Sequence, residues 1–326
     1  MWLAVCLMVA CCLVLSCSDD DDTGPTDPGT SSSLTGHWRV VSGDEAIQFN
    51  FNSDKTLDRL YEADFGFRSF KSNVYLLIES QVMFDGNVYN YTISSDTLRL
   101  HDVDFSIVMV RDDTAPGLND WIVALSTSTS FDPPLTSTVD IDWHGDRLWF
   151  GNAYSGNYLY QVDPVTGTVA DSLPIGPSAF ALCWAGDQLW VSSNGYSRLY
   201  LLDTISGTSS FYSLEMSSWI QGIAFDGEDL WAGSNNSRTI YRYNPILDTI
   251  VDTFHVDRPI HGMTYHDGYI YACADGIINR IQISPFRVVA AFRIEGAHVE
   301  GITNDGTNFW MLATNDIVTF VTSASF

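Results

Sequence analysis

From residue 137 onward the chain alternates short apolar stretches with glycine, aspartate or asparagine, the rhythm of strands joined by tight turns. Five stretches fall into register: IDWHGDRLWFGN, LCWAGDQLWVSSN, IAFDGEDLWAGSN, MTYHDGYIYACAD and ITNDGTNFWMLATN. Their glycines, Gly145, Gly186, Gly227, Gly268 and Gly306, are spaced 41, 41, 41 and 38 residues apart. A repeat of this length with four strands per unit is that of a propeller blade. Each unit reads as an inner strand, an Asp-Gly type turn, and a second strand ending in Leu-Trp or its equivalent. A third strand follows (Tyr158 to Val162, Leu199 to Leu202, Ile240 to Tyr243), then a turn such as Asp163-Pro164-Val165-Thr166-Gly167, then a fourth strand. In that turn Pro and Gly stand where their backbone preferences fit.

The expected fold class is therefore all-β: a five-bladed propeller over residues 118–326, preceded by a small antiparallel barrel or sandwich. The fifth unit has only three strands, and an exposed edge is a liability that closed propellers remove with a strand from the other end of the domain. Trp121-Ile122-Val123-Ala124-Leu125-Ser126, followed by a proline-containing loop, resembles the outer strand of the first unit, so residues 121–126 are predicted to close blade five. The recurring Trp149, Trp190, Trp231 and Trp310, with Tyr271 in the fourth unit, sit mid-strand at one phase, which points to packing between blades rather than to a ligand-stacking ladder. Asn152, Asn194, Asn235, Asp275 and Asn315 read as turn residues.

Residues 34–112 have a different texture, with short alternating strands such as His37 to Val41 and Tyr89 to Ile93. Leu34-Thr35-Gly36-His37-Trp38-Arg39-Val40, with Tyr91-Thr92-Ile93 and Leu98-Arg99-Leu100 downstream, resembles the lipocalin-like domains of bacterial lipoproteins. That resemblance implies either a small apolar ligand cavity or an interior filled by its own side chains; for so short a barrel the filled version is expected.

The first sixteen residues carry no charge and are almost wholly apolar, too few to cross a bilayer about 30 Å thick, and read as a secretory signal. Val14-Leu15-Ser16-Cys17 resembles the lipobox of bacterial lipoproteins, which implies lipidation at Cys17 and an exported protein held to the cell envelope, at the outer membrane or cell surface. A cleaved signal without lipid is the alternative. Residues 17–33 are acidic and free of large apolar groups beyond Cys17, the composition of a flexible spacer; weak calcium binding by its Asp run is the other reading. Cys183 and Cys273, at different phases of different repeats, are expected as two buried thiols.

The net charge of −25, with 15 scattered Lys and Arg, argues against nucleic acid and against anionic lipid surfaces. The membrane is expected to be met only through the N-terminal lipid, and the chain is expected to be a monomer. Cationic or neutral ligands remain.

In propellers, ligands gather where the loops leading into the inner strands converge over the channel. That phase is held by Val139, Phe180, Gln221, His261 and Glu300, with Ser178, Trp219, Arg258 and His298 nearby. Three neighbouring units thus offer an amide, an imidazole and a carboxylate; His261 and Glu300 could trade a proton, and Gln221 could orient a polar substrate. The Leu-Trp-Val strands and Asp-Pro-x-Thr-Gly turns resemble secreted quinoprotein-like and surface-antigen propellers, which implies binding of a peptide, glycan or protein. Ile220-Gln221-Gly222-Ile223 resembles the Gln-Gly-Leu segment of propeller-type glutamine cyclotransferases, which implies the alternative of a transferase acting on N-terminal glutamine; another hydrolase or transferase using Glu300 and His261 is the further alternative. No nucleophile elbow, phosphate loop or HExxH is present, so no cofactor and no metal are expected.

Overall fold

The computed structural model describes residues 33–325 except 79, 104–105, 136, 153–156, 194–196, 215–218 and 316–318. The signal-like segment, Cys17, all but the last residue of the spacer, and Asn194 lie outside the described residues.

Each repeat glycine adopts positive φ, between 64° and 101°, where L side chains are strained and glycine is not. The turns they allow fold the inner strands back as hairpins. Blade one is Thr138–His144, Arg147–Asn152, Tyr158–Val162 and Val169–Pro174. Blade two is Ala181–Ala185, Gln188–Ser192, Arg198–Leu202 and Ser209–Ser213; blade three is Ile220–Phe225, Leu230–Ser234, Thr239–Asn244 and Thr249–His255. Blade four is Ile260–His266, Tyr269–Ala274, Ile277–Ile283 and Phe286–Ile294, and blade five contributes His298–Asn304, Phe309–Thr314 and Thr319–Ala324. The inner strands contact one another in ring order, the last meeting the first.

One core fills each gap between blades. Trp149 packs with Leu182 and Leu189 of blade two, Trp190 with Ile223 and Leu230 of blade three, and Trp231 with Met263 and Ile270 of blade four. Tyr271 packs with Ile302 and Phe309 of blade five, and Trp310 closes the ring on Ile141 and Leu148 of blade one. All five aromatics are buried, and rings of this size each remove a large apolar area from water. Trp231 and Trp310 also use their indole N–H, donating to Asp226 at 2.8 Å and Asp305 at 2.9 Å.

Blade five is closed from the N-terminal side, but not by residues 121–126. Thr129–Phe131 runs antiparallel to the last strand, Phe131 opposite Val321, and the Thr322 hydroxyl donates to the Thr129 carbonyl at 2.6 Å. Trp121 instead ends a helical turn, Leu118–Trp121, and Val123–Leu125 pairs in parallel with the outer strand of blade four. Trp121 and Ile122 are buried with Leu60, Ile277 and Ala291. That packing fixes the segment on blade four, a choice its resemblance to an outer strand could not make.

The N-terminal sheet has nine antiparallel strands, from Arg68–Val74 at one edge through the central Ser106–Arg111, paired with Gly36–Ser42, to Leu76–Ile78 at the other. Only Tyr75 separates the two edge strands in sequence, so the sheet curls into a nearly closed barrel. Its interior holds Trp38, Phe49, Phe51, Leu57, Tyr75, Val82, Phe84, Leu98, Leu100 and Met109, as a small filled barrel requires. The connection Ala63 to Phe67 projects onto blades three and four: Phe67 is fully buried in their core, and Phe65 meets Phe254 and Phe286 edge-on. Arg68 then donates to the Trp121 carbonyl at 2.7 Å.

Candidate functional site

At the end of the channel where the inner strands begin, a cavity of about 200 Å³ is lined by Thr138, Val139, Gln221, His261, Glu300, Leu312 and Thr314. Gln221, His261 and Glu300 come from blades three, four and five, at the residue preceding or opening the glycine of each inner strand (Gly222, Gly262, Gly301). Those glycines are required by space. A Cβ on Gly222 would lie 2.5 Å from the His261 carbonyl oxygen, and one on Gly262 2.5 Å from the Gly301 Cα. The close approach brings the three polar side chains onto one rim.

Nδ1 of His261 lies 2.9 Å from Oε2 of Glu300, and its Nε2 is 3.5 Å from the Asn235 amide nitrogen. In the neutral ring Nδ1 donates to the carboxylate and Nε2 is an acceptor; in the protonated ring both nitrogens donate and the ring adds a positive charge beside Glu300. Burial pushes the Glu300 carboxyl up, but the hydrogen bond and charge of His261, with the charge of His298, outweigh it and hold the group below its ordinary value. Glu300 is therefore ionised. Oε1 of Gln221 is buried without a hydrogen-bond partner among the described residues, an acceptor whose unmet bond a ligand donor can satisfy.

The remaining sequence candidates fall elsewhere. Phe180 is buried, with its amide donating to the Ser192 carbonyl at 2.9 Å, and serves packing rather than the cavity. Trp219 is exposed just before the inner strand of blade three. Arg258 pairs with Asp275 at 3.5 Å, and His298 is exposed against Gly276. Thr138, Leu312 and Thr314 were not among the candidates; the latter two belong to a second strand, whose end returns to the same mouth.

No family model matches the chain, and no curated protein does. Among solved structures it is similar in fold to the glutaminyl cyclase of Myxococcus xanthus. That likeness has a TM-score of 0.51 at 14% identity and covers 61% of this chain and 95% of the cyclase. A catalytically inactive virginiamycin B lyase from Staphylococcus aureus aligns with TM-score 0.41 at 14% identity, over 91% of this chain and 97% of that one. At such identities the likeness is one of fold.

The opposite end of the channel is also polar. A cavity of about 150 Å³ is lined by Asp142, Trp143, Cys183, Trp184, Thr264, Tyr265, Thr303 and Asn304, among others. Asp142 accepts the Trp184 amide at 2.6 Å and the Thr303 hydroxyl at 2.6 Å, and burial pushes its carboxyl up to about 6. Deeper still, Asp140 accepts the Leu182 amide at 3.0 Å and its carboxyl is raised well above the ordinary value by burial. The sequence signal was available: both aspartates stand at phases that the other blades fill with Ala, Gly, Cys or Thr. Cys183 and Cys273 are buried free thiols, pushed up by burial. Among the described residues no group of three or more His, Cys, Asp or Glu is placed to hold a metal ion.

Proposed function

We propose that this is an exported, lipid-anchored envelope protein whose propeller binds a peptide, glycan or protein partner by inserting one hydrogen-bond-donating group of that partner into the channel mouth. The observation that carries the reading is the pairing of ionised Glu300 with His261 beside the unpartnered Oε1 of Gln221, all on one cavity. With Oε2 engaged by His261, Oε1 of Glu300 is the oxygen left to accept. Two acceptors on one rim select a donor: an ammonium, a primary amide or a sugar hydroxyl. A cavity of about 200 Å³ is smaller than the roughly 300–1,000 Å³ of pockets that enclose a whole ligand, so it suits an end group or side chain while the rest of the partner lies outside.

A second reading is supported by the His261–Glu300 contact. A base at Nε2 of His261, oriented by a carboxylate at Nδ1, is a proton-transfer arrangement; cyclisation of an N-terminal glutamine would use it to take a proton from the amine attacking the side-chain carbonyl and to return it to the side-chain nitrogen, which leaves as ammonia when its bond to that carbon breaks. One experiment separates the two. The full chain and its Glu300→Gln variant are incubated with glutamine-initiated peptides, with binding followed by fluorescence polarisation and product by mass. Binding that weakens in the variant without pyroglutamate supports recognition. Pyroglutamate that disappears in the variant makes it an enzyme, and equal binding by both proteins would remove the mouth as the site.

A further inference from the structure

A cavity larger than the mouth lies away from it, between the N-terminal sheet and blade four. It measures about 550 Å³ and is lined by Glu45, Tyr61, Glu62, Phe70, Lys71, Asp257, Arg258 and Asp275, with Ala63 and Ser69. Sites for small groups favour such clefts between domains. The walls are held in place by the buried Phe67 and by Arg68, whose guanidinium donates to the Trp121 carbonyl, so the cleft is formed before any ligand arrives.

Its charge is unbalanced. Both cations on the lining are committed: Lys71 lies 2.5 Å from Asp85 and Arg258 3.5 Å from Asp275. Asp257 has Arg238 at 3.0 Å. Among the described residues Glu62 has only Arg68, at 3.9 Å, and Glu45 forms no ion pair. Two carboxylates therefore face this cleft with little or no compensation. Beside them stand two aromatic rings: Phe70, which already has the Arg293 guanidinium over it at 5.3 Å, and Tyr61, the ring left for an incoming cation; burial raises the Tyr61 hydroxyl so that it remains a donor. Carboxylates set against aromatic faces suit a cation carried on an apolar stem, through ionic contact and cation–π attraction together.

The cleft also adjoins the channel mouth. Asp275, on its wall, precedes Gly276; a Cβ there would lie 2.2 Å from Nδ1 of His298, and the charge of His298 acts on Glu300. Gly276 and His298 thus link Asp275 of the cleft to Glu300 of the mouth. We propose that the cleft is a second subsite of the same face, receiving a Lys or Arg side chain of the peptide whose end group occupies the mouth. This rests on the mouth being a peptide site, and it gives the N-terminal domain a role in selecting the partner.

The test is fluorescence polarisation with labelled hexapeptides that begin with glutamine and carry lysine, norleucine or glutamate at position four, five or six. Three forms of the full chain are compared: the parent, Glu300→Gln, and the double variant Glu45→Gln, Glu62→Gln, whose substitutions are both at exposed positions. The expected result is that one lysine peptide binds the parent about tenfold tighter than its norleucine counterpart, with glutamate weakest, and that added salt narrows the gap. The double variant should lose the lysine preference and keep the norleucine affinity, whereas Glu300→Gln should weaken all peptides alike. No lysine preference in the parent, or a preference that survives in the double variant, overturns the cleft subsite. A preference abolished in the double variant while Glu300→Gln changes nothing would instead overturn the mouth and leave the cleft as an independent site. If no peptide binds the parent, both are overturned.

Discussion

The hydroxyl of Thr303, in the last blade, donates to Oδ1 of Asp142, in the first, across 2.6 Å. The same oxygen of Thr303 accepts the Trp143 amide at 3.0 Å, and the other oxygen of Asp142 accepts the Trp184 amide of blade two. One buried carboxylate thus ties three consecutive positions of the ring together, at the seam where the chain's two ends of the propeller meet.

Asp142 should make stability depend on pH with an unusual sign. Its carboxyl is raised to about 6 from 3.8, so the folded state holds the proton more tightly than the unfolded one. The contribution is complete below the unfolded value and is lost as pH rises through about 6, by up to about 3 kcal/mol. Urea titrations between pH 4 and 7 should show this slope in the parent and a reduced one in Asp142→Asn. Thr303→Val should cost about 1–3 kcal/mol, since it leaves a buried acceptor short of a donor.

The closing strand is held by Phe131, which packs into the core of blades five and one beside Trp310, centroids 6.4 Å apart. Phe131→Ala should cost roughly 1–3 kcal/mol in thermal or urea unfolding. Val123→Ala, on the exposed parallel strand at blade four, should change stability by less than about 0.5 kcal/mol. Equal costs would remove Thr129–Phe131 as the strand that matters for closure.

Phe67→Ala should uncouple the two domains. Phe67 belongs to the barrel's chain but is fully buried in the core of blades three and four, and its truncation should cost about 3–5 kcal/mol there. Calorimetry of the parent is expected to give one coupled transition; in the variant, barrel and propeller should melt apart.

His261→Ala should raise the Glu300 carboxyl. Burial alone drives that group upward, and the bond from His261 is the main force holding it down. Because it is depressed, its stabilising contribution is present above the ordinary glutamate value and is lost as pH falls through the folded one. Carbon-detected NMR titration of the Glu300 carboxyl should show a higher midpoint in the variant; an unchanged midpoint would mean that the contact carries no electrostatic weight.

Much of this was legible in the residues. Glycine at fixed spacing, Asp-Gly turns and a recurring Trp define a local unit whose only way to bury its apolar face is against copies of itself, and five copies make a closed ring. The phase of Gln221, His261 and Glu300 within those units put them on one rim for the same reason: equivalent positions of equivalent strands must converge at an axis. What repetition cannot encode is anything that happens once. Phe180 shares that phase, yet its side chain is buried in packing. The resemblance of residues 121–126 to an outer strand did not choose an edge; the burial of Trp121 against Leu60 and Ile277 chose blade four and left closure to Thr129–Phe131. The depressed Glu300 carboxyl, the raised Asp142 and the cleft beside Glu45 and Glu62 likewise depend on distances between residues far apart in the chain. Local chemistry determined the strands and their turns, whereas the field at each carboxylate was decided only when the blades and the barrel packed.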